Sequence, residues 1–443
     1  MRFRRLLADH GMILVLLLLC AFFSAVTWTE QAPTGEAAAK QVVEAVLGAS
    51  SPGARVFVVA GEQPGEATFV ARAERDLAAA GRRVVATAVG EPRQAREALQ
   101  KIHADGQTLE AIAATRVAGG WRILQDVASE FPSLGHPRVV VPRSHRWPNF
   151  LKSENLLNIA NQIAVIAIVA IGMTMVIIAG GIDLSVGSLI ALSAVLAAGF
   201  IRDHAGGVDA SALGMTLGCL GAIALCGVVG AFNGLMITRF AVPPFIVTLA
   251  MMLVGSGLAF LLARGQSIYQ VPESLVRLGR GADLFGLPNA VLLMLALYGA
   301  AQVLMSRMTL GRHLYAVGGN AEAARLSGVP VRRVLLFAYS VSGLLAGVGG
   351  VVMASQLKSG SPTYGNMYEL YVIAAVVVGG TSLSGGEGRM LGTLTGAFTI
   401  AVIQNGMNLT NVESYTQKVV LGLVILGAVL LDKLRQSRGL RTL

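Results

Sequence analysis

The chain reads as an α-helical polytopic membrane protein of about ten transmembrane helices, carrying one small α/β domain with a parallel sheet. Three observations predict this. Of 443 residues, 54% are hydrophobic and 14% charged, whereas soluble domains carry about 25% charged residues. The apolar residues gather into runs that approach the roughly 20 residues needed to cross a bilayer. A single interval, residues 29–148, switches to charges of both signs alternating with short apolar strands. The net charge of +10 does not point to nucleic acid. Basic residues sit at the ends of apolar runs, as cytoplasmic loops are marked, and they form no patch interleaved with aromatics.

The elements follow in order. Arg2, Arg4 and Arg5 precede the apolar run Gly11–Val26, and this positive flank places the N-terminus in the cytoplasm. Ser24-Ala25-Val26-Thr27 is a poor cleavage site, so residues 1–28 are read as an uncleaved first span and not a signal peptide. Residues 29–148 then lie outside the cytoplasm. Arg55–Ala60 reads as a buried strand, Glu66–Ala80 as a helix and Arg83–Ala88 as a second strand. Pro92–His103 is a second helix with proline in its first turn, and Leu109–Ala114, Trp121–Ser129 and Arg138–Val141 repeat the alternation. Strands alternating with helices predict a three-layer α/β domain.

Residues 149–434 are almost all membrane. Apolar runs fall near Asn158–Ala179, Leu184–Ile201, Leu213–Ile237, Phe245–Ala263, Ala290–Met305, Val334–Met353, Tyr371–Gly380, Leu391–Met407 and Val419–Leu431. Alternating from a cytoplasmic start puts Arg239, the segment 307–333, Arg389 and the 435–443 tail inside, in agreement with the positive-inside rule. Arg264, Arg277 and Arg280 fall outside and are the main discord. A bacterial inner membrane, with both termini cytoplasmic and residues 29–148 periplasmic, is the expected location.

Two motifs carry the functional reading. In the first, two apolar runs meet at Gly180-Gly181, followed by Asp183, Ser185, Gly187 and Ser188. A helix can end on these glycines, which accept the left-handed conformation, and Asp183 or Ser185 can cap the next one. An ordinary hairpin explains these residues as well as direct solute contact does. The second motif lies in the longest cytoplasmic loop: Gly311-Arg312, then Gly318-Gly319-Asn320, Glu322, Ala324-Arg325-Leu326 and Gly328. Asn320 caps a short helix, Gly328 ends it, and Glu322 and Arg325 match the helix dipole. Such a knob suits a partner's groove.

With the stretches Tyr368–Arg389 and Gln404–Leu409, these motifs resemble the permease subunits of sugar-importing ABC transporters of the ribose/xylose/galactose type. The resemblance runs from about Trp147 to Asp432, plus the first span. Trp147-Pro148-Asn149-Phe150 matches the family's segment after that span, so residues 29–148 look like an insertion. Tyr371 departs from the family, where many relatives carry an acidic residue. The resemblance implies a homodimer with an ABC ATPase inside and a periplasmic solute-binding protein outside, surrounded by membrane lipid and moving a sugar or related polar solute along a central path. It makes segment 307–333 the loop that meets the ATPase. The insert resembles one lobe of a sugar-type periplasmic binding protein and, being a single lobe, is expected to dock or assist and not to serve as the primary receptor.

No catalytic constellation is present, and an enzyme is not expected. The chain has no Gly-x-x-x-x-Gly-Lys-Ser/Thr loop, so ATP belongs to a partner subunit and no cofactor to this one. The histidines are scattered, and Cys20, Cys219 and Cys226 lie in apolar runs with no metal-ligand spacing. Glycines 214, 218, 221, 227, 230 and 234 permit close helix packing. Besides Asp183 and Ser185, the candidates for the translocation path are Asn161, Gln162, Asn233, Gln404 and Asn405, because amides in lipid are costly; helix-to-helix hydrogen bonding is their alternative. A membrane-anchored receptor using the α/β domain as sensor is the rival reading, and a proton-coupled carrier the third, disfavoured by scarce intramembrane carboxylates.

Overall fold

The structure is a computed structural model that describes residues 2–439. Two compact units emerge: Met1–Thr27 with Asn149–Leu443, and Trp28–Pro148. Helix α1 (Arg2–Val26) ends where the buried Thr27 turns its hydroxyl back to the Phe23 carbonyl, 2.7 Å away. Thr27 also holds the returning chain: its carbonyl accepts from Asn149 N at 2.8 Å, and its hydroxyl accepts from Phe150 N at 3.1 Å. Phe23 stacks on Phe150 with ring centroids 6.2 Å apart. The 121 residues from Trp28 to Pro148 therefore leave and re-enter the first unit at one clamped point.

Within the second unit, β1 (Trp28–Gln31) opens the excursion and is followed by α2 (Gly35–Ala49), β2 (Arg55–Ala60), α3 (Glu66–Ala79), β3 (Arg83–Val89), α4 (Pro92–Ala104) and β4 (Ala111–Ala114). Three single turns, α5 (Arg116–Gly119), α6 (Arg122–Gln125) and α7 (Val127–Glu130), lead to β5 (Arg138–Val140) and β6 (His145–Pro148). The main sheet has the order β3-β2-β4-β5 with all pairs parallel. Alternation along β2 sends Val56 and Val58 to the face covered by α2 and α3, and Phe57 and Val59 to the face covered by α4 and the short turns. Two features differ from the sequence expectation. The helix expected over Trp121–Ser129 is broken at Asp126, whose φ of −100° and ψ of 13° leave the helical basin. Strands β1 and β6 form a separate antiparallel pair that no alternation in so short a charged segment announces.

The rest of the first unit is helical: α8 (Ser153–Ile178), α9 (Val186–His204), α10 (Ala212–Phe240), α11 (Pro244–Leu262), α12 (Glu273–Arg280), α13 (Asn289–Arg307), α14 (Thr309–Gly319), α15 (Ala321–Leu326), α16 (Val331–Leu357), α17 (Tyr368–Val378), α18 (Met390–Leu409) and α19 (Ser414–Gly439). Among the described residues six helices, α8, α9, α10, α11, α13 and α16, are long and apolar enough to cross a membrane. The sequence reading of about ten counts in addition three shorter apolar stretches, Gly11–Val26, Tyr368–Val378 and Ser414–Gly427, and the 20-residue α18, which carries Gln404, Asn405 and Asn408. Of the expected 435–443 tail, residues up to Gly439 continue α19, and 440–443 lie outside the described residues.

The core forms around α8, 89% of whose apolar window is buried, against 17% for α11 at the periphery. Helix α16 packs on α10, α8 and α9. Its contact with α10 is backbone on backbone: a Cβ on Gly230 would fall 2.2 Å from the Tyr339 carbonyl oxygen, and one on Gly343 2.3 Å from that of Cys226. Small residues at such crossings replace the hydrophobic drive that lipid removes.

Candidate coupling loop, membrane break and polar groove

Helix α15 is built by its caps. Asn320 Oδ1 accepts from Ala323 N at 2.9 Å, Ala324 N donates to the Asn320 carbonyl at 2.9 Å, and Gly328 takes a φ of +84° past the C-terminus. Arg325 donates to both carboxylate oxygens of Glu322 at 3.0 and 2.6 Å. That bond holds the Glu322 carboxyl below its ordinary range. Ala324 is buried, whereas Leu326 projects with 75% of its surface exposed, an apolar tip on a charged knob. Arg312 is exposed; Gly311 is buried where a Cβ would meet the Leu304 and Met305 carbonyl oxygens at 2.5 Å.

The base of this loop is locked to the core through glycine. A Cβ on Gly318 would lie 1.6 Å from the Ile178 carbonyl oxygen and 2.6 Å from Gly386 N. Gly386 N itself donates to that Ile178 carbonyl at 2.8 Å. Gly385 lies against Gly180 and the Gly318 carbonyl, and Gly386 against Gly319. Gly180, Gly385 and Gly386 have φ of +85°, +82° and +74°, which glycine adopts without steric cost. Tyr315 adds a hydroxyl bond to the Gly388 carbonyl at 2.8 Å. Three backbone segments from distant parts of the chain thus meet with no side chain between them.

Directly after Gly180 the chain enters a closed polar knot. Asp183 is fully buried; its Oδ1 accepts from Ser185 N at 3.0 Å and Ser185 Oγ at 2.6 Å, and its Oδ2 from Ser342 Oγ at 2.7 Å. Asn233 Nδ2 donates to Ser185 Oγ at 3.1 Å. Asn233 Oδ1 and the Tyr339 hydroxyl are buried without partners among the described residues. Of the expected path residues, Asp183, Ser185 and Asn233 therefore meet here, fastening α8, α9, α10 and α16 together. Asp183 engages Ser185 ahead of α9 and does not sit at its first free N–H groups.

The other expected path residues do not join them. Asn161 donates to the Gly279 carbonyl at 3.1 Å and accepts from Gln356. Asn405 exchanges amide hydrogen bonds with Asn155 at 2.8 and 3.0 Å. Gln162 is exposed and Gln404 half-buried. Arg277, one of the three arginines expected outside, pairs with Asp283 at 2.9 Å, and Arg280 donates to the Gln356 carbonyl at 2.6 Å.

One correction concerns Gly181. The left-handed turn is at Gly180, not at Gly181; a Cβ on Gly181 would instead strike the Tyr339 hydroxyl at 2.3 Å. Gly181→Val is expected to impair transport more than Ser188→Ala. Tyr339 is 1% exposed and has no room to retreat, so overpacking costs about 1–3 kcal/mol. Ser188→Ala forfeits one hydrogen bond to the Ser185 carbonyl, about 1 kcal/mol. Uptake assays and melting curves of both variants test the ranking, and the reverse order would assign Ser188 a solute contact.

On the far side of α9 lies a groove of about 340 Å³, bounded by α9, α11 and the loop before α17. Ser188, Ser256, Thr363, Tyr364, Asn366 and Glu369 supply its polar lining. Glu369 stands over the first turn of α9: a Cβ on Gly187 would be 2.2 Å from its Oε2. Neither this groove nor the partnership of Ser342 and Tyr339 with the break is evident from residue spacing. The available signal was that Glu369 is the sole carboxylate between Val331 and Gly386.

Residues 155–429 match the family model described as branched-chain amino acid transport system / permease component. Over 308 residues the chain is 44% identical to the ribose import permease protein RbsC of Bacillus subtilis, covering 69% of this chain and 93% of that protein. It is 37% identical over 290 residues to the L-arabinose transport system permease protein AraH of Escherichia coli, covering 66% and 86%. To the D-allose transport system permease protein AlsC of the same species it is 35% identical over 285 residues, covering 64% and 85%. No solved structure matches the chain. A multi-pass inner-membrane protein with these helices and this match belongs to the permease family of the sugar ABC importers.

Proposed function

We propose that the chain is the membrane-spanning half of an importer that brings a sugar into a bacterial cell, powered by ATP hydrolysis in a partner ATPase. The observation that carries the reading is the mounting of α15, a capped helix with an exposed leucine tip, on a glycine seam that runs straight into the break before α9. A push on α15 has a rigid route to the core. Helices α1, α8, α9, α10, α11, α13, α16, α17, α18 and α19 make about ten crossings, with both termini and the 307–333 loop in the cytoplasm. Gly311, Arg312, Gly318, Gly319, Asn320, Glu322, Ala324, Arg325, Leu326 and Gly328 form the ATPase contact and its base. Two copies of the permease enclose the path, and a periplasmic binding protein delivers solute.

The Trp28–Pro148 unit is periplasmic and accessory. In open parallel sheets, ligands bind at the carboxyl ends of strands where the strand order reverses, here between β2 and β4. That crevice is filled by the domain's own Glu66, whose carboxylate accepts from Gly61 N and from Thr115 Oγ. Excising residues 28–148 and joining Thr27 to Asn149 through a short glycine linker is expected to preserve uptake, because those two residues already share a hydrogen bond of 2.8 Å.

The experiment is uptake of labelled pentoses and hexoses by cells lacking their own ribose permease and supplied with this chain, its ATPase and its binding protein. ATP-dependent uptake by both the full-length and the excised chain is expected. No uptake of any sugar by the full-length chain would refute the function; loss confined to the excised chain would make the domain part of the receptor.

A further inference from the structure

The groove between α9, α11 and the 362–369 loop has a feature that the knot around Asp183 lacks. Its carboxylate, on the half-buried Glu369, receives no hydrogen bond from any other residue among the described residues, whereas Asp183 accepts three from neighbouring groups. Yet Glu369 is fixed in place. It sits in the first turn of α17, its carboxylate lies directly over Gly187 at the start of α9, and the loop before it is pinned by Gly365 against the Gly187 carbonyl. The positive end of the 19-residue α9 favours a negative charge at this point.

Depth supports a role inside the membrane. Helix α17 has 11 residues, a rise of about 16 Å, roughly half of a hydrocarbon core of about 30 Å. Its N-terminus therefore opens part-way through the bilayer, where irregular backbone is tolerated only around protein or a water-filled cavity. An intramembrane carboxylate in such a place marks a solute or ion pathway.

We propose that this groove is the solute's station within the membrane and that Glu369 accepts hydrogen bonds there from vicinal hydroxyls of a neutral monosaccharide; the proposal rests on the importer reading above. A carboxylate is an acceptor only and can take two hydroxyl donors side by side. Ser256, Thr363 and Asn366 supply further hydroxyl and amide groups, and Phe260 and Met252 an apolar wall for the sugar's C–H face. No lysine or arginine lines the groove among the described residues, so an anionic sugar acid would face Glu369 uncompensated. The volume of about 340 Å³ is at the small end of ligand pockets, about 300–1,000 Å³, which suits one sugar ring and not two.

The test uses the complete transporter in cells lacking other ribose uptake. Glu369→Ala is expected to lower ribose uptake about tenfold or more, and Glu369→Gln, which keeps the shape and one acceptor, to raise KM severalfold with a smaller change in maximal rate. A second readout does not depend on those variants folding. With Cys20, Cys219 and Cys226 replaced, Ser256→Cys is treated with a small hydrophilic thiol reagent, and ribose is expected to slow the modification severalfold while a disaccharide or hexuronate does not. If the unaltered transporter moves no sugar, the importer reading fails. If it does move sugar while both Glu369 variants stay within twofold of it, or ribose gives no protection, the station is overturned.

Discussion

Gly318→Ala is expected to abolish uptake and to lower the melting temperature of the transmembrane unit, while Gly319→Ala, one residue further on, is expected to do neither. The two positions separate propensity from packing. Both lie at the end of α14, where replacing glycine by alanine gains up to about 1 kcal/mol of helix propensity. At Gly319 nothing lies within 4 Å of the added methyl, so a small gain or no change is expected. At Gly318 the methyl would lie 1.6 Å from the Ile178 carbonyl oxygen and 2.6 Å from Gly386 N. Those are backbone atoms, and they already bond each other at 2.8 Å. No rotamer change relieves the overlap; the seam has to open.

Overpacking of this kind costs about 1–3 kcal/mol or more, which outweighs the propensity gain and reverses its sign. The functional effect should exceed the stability effect, because the displaced segments are the ones that would carry motion from α15 to the break after Gly180. Melting in detergent and uptake in cells give the two readouts. Gly318→Ala with uptake within twofold of the parent would remove the seam from the coupling route.

How much of this was legible in the sequence depends on the range of the interaction concerned. The caps of α15 are local: Asn320, Glu322, Arg325 and Gly328 interact within eight residues of one another, and the structure places their bonds within that helix and its caps. The strands Arg55–Ala60 and Arg83–Val89 announce themselves by β-branched residues. The seam and the knot are different. Gly318, Gly180 and Gly386 each read as local punctuation, and only their meeting across more than 130 residues explains why glycine is required at Gly318, whose backbone is not left-handed. Asp183 likewise reads as a cap, but its partner Ser342 lies 159 residues away. Glu369 carries no periodicity or spacing signal at all; its meaning comes from Gly187 on another helix.

Ala324→Pro is expected to abolish transport and solute-stimulated ATP hydrolysis while leaving membrane insertion and the melting temperature of the transmembrane helices nearly unchanged. Ala324 is the fourth residue of α15 and the first whose N–H makes a backbone-to-backbone bond of the helix, donating to the Asn320 carbonyl at 2.9 Å. Proline removes that donor, and its ring clashes with the same carbonyl, a cost of about 3 kcal/mol in a helix interior. The loss falls on a helix of 6 residues, far too short to hold without its caps. The Glu322–Arg325 pair cannot rescue it: both side chains are about two-thirds exposed, and the pair needs the helix to bring its partners together. Because the pair holds the Glu322 carboxyl below its ordinary value, its small contribution is present above the usual glutamate range and fades only as pH falls through the lowered value. Working near neutral pH therefore leaves the proline effect undiluted. Leu326 loses its presentation when the helix unwinds, so the proposed ATPase contact would lose its apolar anchor, while the glycine seam below and the groove around Glu369 would keep their geometry. Protection of Ser256→Cys by ribose should accordingly survive in the Ala324→Pro background. Normal transport by Ala324→Pro would show that α15 is a solvated loop helix with no partner.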